Sequence, residues 1–360
     1  MDRRSFLKNT AIGGSTAAAA TLAAPAYAQG RRTLTLVTTW GRGLAGVHDS
    51  AQYCADMITA ATDGALTVEL KAAGELVGAF EVFDAVSSGQ ADMYHGVDYY
   101  FLNQHPAYAL FSQIPFGMTP QEMNTWYYSD GGMELNHELG ALFNLKPFLS
   151  GNTGAQAGGW FSRRIESAED FNGLKFRMPG QGGQVLSKLG ASVQNLPGAE
   201  VYQALASGAI DGTEWIGPWA DEKAGFQEIS KIYYPAGFHE PGPALTLTTN
   251  LDVFNELSAS HQTIIETVCA ASNMNTLSMF LSENAAALER LQSAGVELHE
   301  FPDDVWDAFY AASQEVIEES MGDDLYRRTY ESAMASQESS SKWVNDSSGV
   351  FMKQRQRILG

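Results

Sequence analysis

Arg177 lies in the stretch Gly173-Leu174-Lys175-Phe176-Arg177-Met178-Pro179-Gly180, which is patterned to present one guanidinium. Leu174, Phe176 and Met178 alternate with polar positions as in a half-buried strand, and Pro179-Gly180 closes it in a turn. Arginine is always charged, and its planar fork matches a carboxylate with two parallel hydrogen bonds. Facing a cleft, Arg177 would select an organic acid. Facing solvent, it would form an ordinary surface ion pair of little energetic worth.

Other chemistries find less support in the chain. The seven His residues are scattered, with no pair at helical metal-binding spacing. There is no phosphate loop, no dinucleotide fingerprint and no nucleophile-elbow serine. Cys54 and Cys269 are the only cysteines. They are far apart in sequence and sit in apolar helical contexts, so buried free thiols are expected.

The N-terminal residues Arg3-Arg4-Ser5-Phe6-Leu7-Lys8, the Ala/Gly-rich stretch from Ala11 to Ala24 and then Ala26-Tyr27-Ala28 read as a twin-arginine export signal. Cleavage is expected after Ala28, and no Cys lies nearby to carry a lipid. No later run reaches the roughly 18 apolar residues of a membrane span. A soluble protein in the periplasm is expected. The formal net charge of the 360 residues is −20, and losing Arg3, Arg4 and Lys8 with Asp2 leaves the remainder more acidic still. Such a chain is a poor partner for nucleic acid. An anionic ligand would need a focused positive group, and Arg177 is the candidate.

Strands and helices alternate through the first two thirds. Strands are predicted at Thr33–Thr39, Leu66–Leu70 and Met93–Val97, with helices at Val47–Ala61 and Phe80–Ser87 between them. This alternation implies a mostly parallel sheet with helices on its faces. The pattern restarts near Gly151, with strands at Trp160–Ser162, Lys175–Met178, Ser192–Gln194 and Thr213–Ile216 and helices at Gln184–Leu189 and Ala199–Ser207. Ala85–Asp92 echoes Ala204–Asp211: each reads as a helix end, a Gly cap and an Asp entering a strand. Two related lobes explain the echo.

The last third differs. Ala244–Thr249 alternates as a strand, and a long helix is predicted from Ser260 to about Gln292. Its apolar stripe is Ile264, Ile265, Val268, Ala271, Leu277, Leu281, Leu288 and Leu291. Val296–Phe301 reads as a short strand, and Pro302-Asp303 opens another helix. Beyond Glu331, further helix is expected to wrap a lobe or a partner subunit.

Several ordered motifs resemble those of TRAP-type substrate-binding proteins, the receptors of tripartite ATP-independent periplasmic transporters. They are Gly74-x-Leu76 with Glu81, Val86, Gly89 and Asp92-Met93; Ile114-Pro115-Phe116-Gly117; Leu174-Lys175-Phe176-Arg177; and Pro197-Gly198-x-Glu200-x-Tyr202-x-Ala204-Leu205-x-x-Gly208-x-Ile210-Asp211-Gly212. The likeness runs from about Thr33 to Gly360. Thr213-Glu214-Trp215-Ile216-Gly217-Pro218-Trp219, Tyr233-Tyr234-Pro235-x-Gly237 and Glu240-x-Gly242-Pro243 are similar to the branch that binds 2-oxo acids such as pyruvate.

The resemblance implies an α/β periplasmic-binding-protein fold. Each of its two lobes would hold a mixed sheet flanked by helices, with a long helix spanning them and a C-terminal helical tail. Residues 33–150 with about 236–257 would form the first lobe. Residues 151–235 with about 258–330 would form the second, leaving 331–360 as the tail. The implied function is non-catalytic: capture of a small 2-oxo or 2-hydroxy monocarboxylate and delivery to TRAP membrane subunits. Arg177, Gln156, Tyr100, Trp215 and Glu214 would contact the acid. A bridging cation, Na⁺ or Ca²⁺, would be held by Gln156, Glu214, the Trp215 backbone and Glu240, and hard carboxylate oxygens suit such ions. Trp215 and Trp219 would be cleft walls or core. Branch members also form helix-exchanged dimers, which makes a homodimer an expectation. His239 replaces an aromatic residue before Glu240, and Asp98 replaces a small polar one; both are expected to reshape the pocket. The readings from other classes are an exported enzyme acting on a small carboxylate and a ligand sensor signalling to a kinase.

Overall fold

The computed structural model describes residues 30–359. The expected export signal lies outside them. Strand β1 (Arg32–Thr38), helix α1 (Val47–Ala61), β2 (Leu66–Lys71), helix α2 (Val82–Ser87) and β3 (Met93–Gly96) follow in the expected alternation. A single 3₁₀ turn, Asp98–Phe101, then leads to three short helices, α3 (Tyr108–Ser112), α4 (Pro120–Ser129) and α5 (Gly132–Ala141), and to β4 (Leu145–Asn152). Helix α4 starts where Thr119 and Glu122 form a reciprocal capping box with Pro120 in the first turn.

The chain then crosses to a second sheet. It lays down β5 (Gly159–Phe161), β6 (Lys175–Arg177), helix α6 (Gly180–Lys188), β7 (Ser192–Gln194), helix α7 (Gly198–Ala206), β8 (Gly212–Thr213), helix α8 (Pro218–Ala224) and β9 (Ile232–Tyr234). It returns to the first sheet as β10 (Ala244–Asn250), followed by α9 (Leu251–Glu256). The first sheet has the order β2-β1-β3-β10-β4 and the second β11-β9-β5-β8-β6-β7, where β11 is Glu297–Leu298. Within the first sheet, β1, β2 and β3 are parallel, as βαβ alternation requires. Strand β10 runs antiparallel to both its neighbours because it arrives from the other lobe. Both sheets are therefore mixed.

The internal echo is structural. Asp92 exchanges backbone and side-chain hydrogen bonds with Thr35: its N–H donates to the Thr35 carbonyl at 3.1 Å, and its Oδ2 accepts from the Thr35 N–H at 2.7 Å. Asp211 makes the same pair of bonds with Lys175, at 2.6 and 2.9 Å. Each Asp follows a glycine at positive φ, Gly89 at 79° and Gly208 at 73°. The same eight-residue device thus clips a helix end to a strand in both lobes.

Helix α10 (Ala259–Ser293) is 35 residues long, about 50 Å at 1.5 Å per residue. Its first half packs against β4 and α1 and its second half against α8, so it spans the lobes. The predicted apolar stripe holds at the ends, where Ile265, Val268 and Leu291 are buried, and fails in the middle. Leu281 is 75% exposed, Ala271 is exposed, and Ser272, Asn273 and Thr276 are buried instead. The physical reason is polar pairing at the lobe junction. Thr276 donates to Ser50 at 2.9 Å, Ser272 lies 3.4 Å from Ser50, and Asn273 donates to Asn124 at 2.8 Å.

Helix α11 (Asp303–Glu318) packs on α6 in the second lobe. Helix α12 (Asp324–Val344) returns to the first, where Leu325, Tyr326 and Ala333 join its core. A five-residue π turn, Asn345–Gly349, leads to α13 (Val350–Leu359), which buries nothing. Separate apolar clusters fill each lobe. Another joins Trp40, Val97 and Tyr99 of the first lobe to Trp160, Val201 and Trp215 of the second. Cys54 and Cys269 are both buried and free. Among the described residues, no helix is long and apolar enough to cross a membrane.

Candidate functional site

Two crossings between the sheets and one loop of the second lobe meet at one place. One crossing joins β4 to β5 and carries Gln156. The loop leaves β8 and carries Glu214 and Trp215. The other crossing joins β9 to β10 and carries His239 and Glu240. They are tied by backbone bonds: the Gln156 N–H donates to the Glu240 carbonyl at 2.9 Å and the Ala157 N–H to the Ile216 carbonyl at 3.1 Å. The expected strand Thr213–Ile216 in fact stops at Thr213. The cause is Asp221, whose Oδ1 accepts from the N–H groups of Ile216 and Gly217 at 3.1 and 3.0 Å. That bends the chain into the start of α8 and turns Glu214 and Trp215 out of the sheet.

Arg177 ends β6, and its guanidinium is 1% exposed. The turn after it is made at Gly180, where φ is +64° and a Cβ would meet the Tyr99 ring at 3.2 Å. The Arg177 Nη1 pairs with Glu214 Oε1, its Nε donates to the Leu196 carbonyl at 3.3 Å, and its Nη2 faces the Tyr100 hydroxyl at 3.5 Å. The Trp215 ring lies 5.3 Å from the guanidinium carbon, within cation–π range. Gly198 lets that indole in, since a Cβ there would meet it at 2.3 Å.

Arg177, Gln156, Tyr100 and Trp215 line one cavity with Trp40, Tyr99 and Thr153. The space between the lining atoms is about 290 Å³. Part of that space is open to solvent, and its lining joins aromatic rings to one guanidinium and one amide, the make-up of a site for a small acid. Glu214 and Glu240 lie beside it and do not line it. Carboxylate or imidazole atoms of Glu214, His239 and Glu240 fall within 4.8 Å of one another, and all three side chains are buried. Glu214 Oε2, Glu240 Oε2, Gln156 Oε1 and both ring nitrogens of His239 are buried without a hydrogen-bond partner. Buried polar atoms are normally satisfied, so these four residues offer a ready set of donors to a cation. Burial pushes the Glu240 carboxyl up to about 7, with His239 opposing and Glu214 adding to the rise. Burial also pushes the Tyr100 phenol up to about 12, so it serves as a neutral hydrogen-bonding group.

Asp98, expected to reshape the pocket, sits elsewhere, and Trp219, left open between wall and core, packs outside the cavity lining. Asp98 does not line the cavity; it points into the first lobe and accepts from Tyr94 at 3.0 Å and Thr246 at 2.8 Å. Trp219 packs edge-on against Phe280 of the spanning helix, with ring centroids 5.5 Å apart. Sequence reasoning missed Trp40, Thr153 and Asp221. Trp40 is set by a buried chain: its indole N–H donates to His95 Nδ1 at 2.9 Å, and His95 Nε2 lies 3.2 Å from Ser50 Oγ.

Two α/β lobes whose two crossings, with a loop of the second lobe, close over one buried guanidinium define a solute-binding receptor. The chain belongs to the bacterial extracellular solute-binding protein family 7 (DctP), whose model matches residues 42–324. It is 38% identical over 297 residues to a monocarboxylate 2-oxoacid-binding periplasmic protein of Nostoc sp. (strain PCC 7120), covering 82% of this chain and 81% of that one. A TRAP solute-binding protein of Bordetella bronchiseptica, a mixed-occupancy dimer with calcium and picolinate in one site, superposes with a TM-score of 0.89 at 30% identity, over 91% of this chain and 98% of that one. A TRAP periplasmic protein of Pseudoalteromonas atlantica with bound sodium and pyruvate superposes with a TM-score of 0.87 at 34% identity, over 90% of this chain and 99% of that one. The protein is thus a TRAP-type receptor of the periplasm, close to the 2-oxo-acid branch, and its work is transport rather than catalysis.

Proposed function

We propose that the protein captures a small 2-oxo or 2-hydroxy monocarboxylate, such as pyruvate or lactate, and delivers it to TRAP membrane subunits. The observation that carries this reading is the meeting of Arg177, Tyr100, Gln156 and Trp215 in one small cavity. Arg177 Nη2 and the Tyr100 hydroxyl would take the carboxylate and its neighbouring oxygen, while Trp215 and Trp40 wall the apolar end. A cation, Na⁺ or Ca²⁺, would be held by Gln156, Glu214, Glu240 and the Trp215 backbone. It would offset the repulsion between these carboxylates and the acid, a reading supported by the unpartnered oxygens at the site and by the ions in the two similar structures.

The test is mass spectrometry of ligand released from gently purified protein, followed by isothermal titration with pyruvate and lactate. Stoichiometric binding of either acid, recovered unchanged, supports the reading. Binding of neither, with a dicarboxylate or an amino acid released instead, overturns it. A homodimer belongs to the same proposal. Trp343, Phe351, Ile358 and Leu359 on the last helical segments are 62–79% exposed, and light scattering should return twice the chain mass.

A further inference from the structure

Resting on the cation reading above, we propose that His239 is a direct ligand of that cation, and that the site therefore prefers a nitrogen-accepting divalent ion over Na⁺ or Ca²⁺. Three observations carry this. The first is position. His239 Nε2 is 3.5 Å from Glu214 Oε2, and donor atoms of His239, Glu214 and Glu240 lie within 4.8 Å of one another. A single ion at the roughly 2.0–2.5 Å of ordinary coordination bonds can reach atoms so spaced.

The second is that the ring is free to ligate and fixed in place. Neither nitrogen has a hydrogen-bond partner, although the residue is 2% exposed. Its Cε1–Nδ1 edge is pressed against the Gly237 backbone, where a Cβ would come within 2.7 Å of Cε1. On the other side its Cβ abuts Gly182, where a Cβ would sit 2.8 Å away. Glycine at both places lets the backbone close on the imidazole and leaves Nε2 on the side of Glu214. The polar group it faces is Glu214 Oε2, at ion-pair distance and itself without a hydrogen-bond partner.

The third is charge. Arg177 offsets one of the two carboxylates, Glu214 and Glu240, and a bound monocarboxylate brings the site to a net −2. A divalent ion neutralises that; Na⁺ leaves a buried negative charge. Carboxylates and an amide oxygen alone would suit Ca²⁺, while an added imidazole favours Mn²⁺, Co²⁺, Ni²⁺ or Zn²⁺.

The experiment uses the mature full chain stripped of metal. Co²⁺ and Ca²⁺ are titrated separately, with and without pyruvate, into wild type and His239→Phe. Wild type should bind Co²⁺ at least about tenfold more tightly than Ca²⁺, and His239→Phe should reduce that ratio by about tenfold or more. An unchanged ratio in a folded variant overturns the assignment of His239 while leaving the cation reading standing. Binding of neither ion by wild type overturns the cation reading and this inference with it. Wild-type protein loaded with Mn²⁺ supplies a check that needs no variant. Its electron spin-echo modulation should contain a directly coupled imidazole nitrogen, and a spectrum without one overturns the proposal.

Discussion

Arg177 and Glu214 form a buried ion pair that uses only half of the carboxylate. Glu214 Oε1 accepts from Arg177 Nη1, while its Oε2 has no hydrogen-bond partner. One residue can thereby brace Arg177 and still offer an oxygen to a cation. Both side chains are 1% exposed, so the pair is also structural.

Arg177→Ala should therefore do more than abolish acid binding. It strands Glu214 as an uncompensated buried charge, which costs about 3–5 kcal/mol. A large fall in melting temperature is expected beside the loss of binding. Arg177→Lys keeps a charge for Glu214 but loses the fork. It should fold, and bind monocarboxylates about tenfold or more weakly by titration calorimetry. Wild-type affinity in Arg177→Lys would remove Arg177 from the binding site.

Stability should fall as pH rises from acid to neutral, through Asp98. Burial pushes its carboxyl up to about 6, against the favourable hydrogen bonds from Thr246 and Tyr94. The folded state thus holds this proton more tightly than the unfolded chain, whose Asp titrates near 3.9. The contribution is fully present below that value and lost as pH passes 6, a difference of about 3 kcal/mol. Asp98→Asn mimics the protonated acid. It should raise the melting temperature at pH 8 and flatten the slope between pH 4 and 7. A steeper slope in the variant would reverse the assignment.

The parts legible in the sequence are those that local chemistry fixes. The alternation around β6, the paired Gly and Asp of the two echoed segments, and the Pro302-Asp303 start of α11 all speak within a few residues. What was not legible depends on partners far along the chain. Asp221 carries no motif, yet it accepts from Trp160, 61 residues away, at 2.9 Å and ends the strand before Glu214. Ser272 and Thr276 read as interruptions of an apolar stripe because their partner Ser50 lies more than 200 residues off. Trp40 had no signal of its own, because its role is conferred by His95.

His95 should act as a fixed acceptor with no charge of its own. Burial, helped by the nearby His48 ring, lowers its pKa to about 3, so Trp40 keeps its hydrogen bond across the pH range of the periplasm. His95→Phe removes the acceptor of the Trp40 indole and the partner of Ser50, leaving buried polar groups unsatisfied at about 1–3 kcal/mol each. The variant should melt earlier, and its affinity for the acid should fall several-fold as the Trp40 wall loosens. Equal tryptophan fluorescence spectra and equal affinity in wild type and variant would show that this chain does not position the cavity.

Acid binding should release a proton and weaken as pH drops below neutrality. Glu240, pushed up to about 7 chiefly by burial, is substantially protonated in that range, and a metal-ligating carboxylate must be ionised. A cation therefore displaces the proton. Well below pH 7, affinity in the presence of Ca²⁺ should fall by up to about tenfold per pH unit. Titrations at pH 6 in two buffers of different ionisation enthalpy give the number of protons released. Glu240→Gln has no proton to lose, so its heats should not depend on the buffer, and its affinity should be low at every pH. Exhaustive chelation of the wild type should reproduce that low affinity. Buffer-independent heats in the wild type, with affinity indifferent to chelation and to added Na⁺ or Ca²⁺, would remove the cation from the mechanism and leave Arg177 and Tyr100 to hold the acid alone.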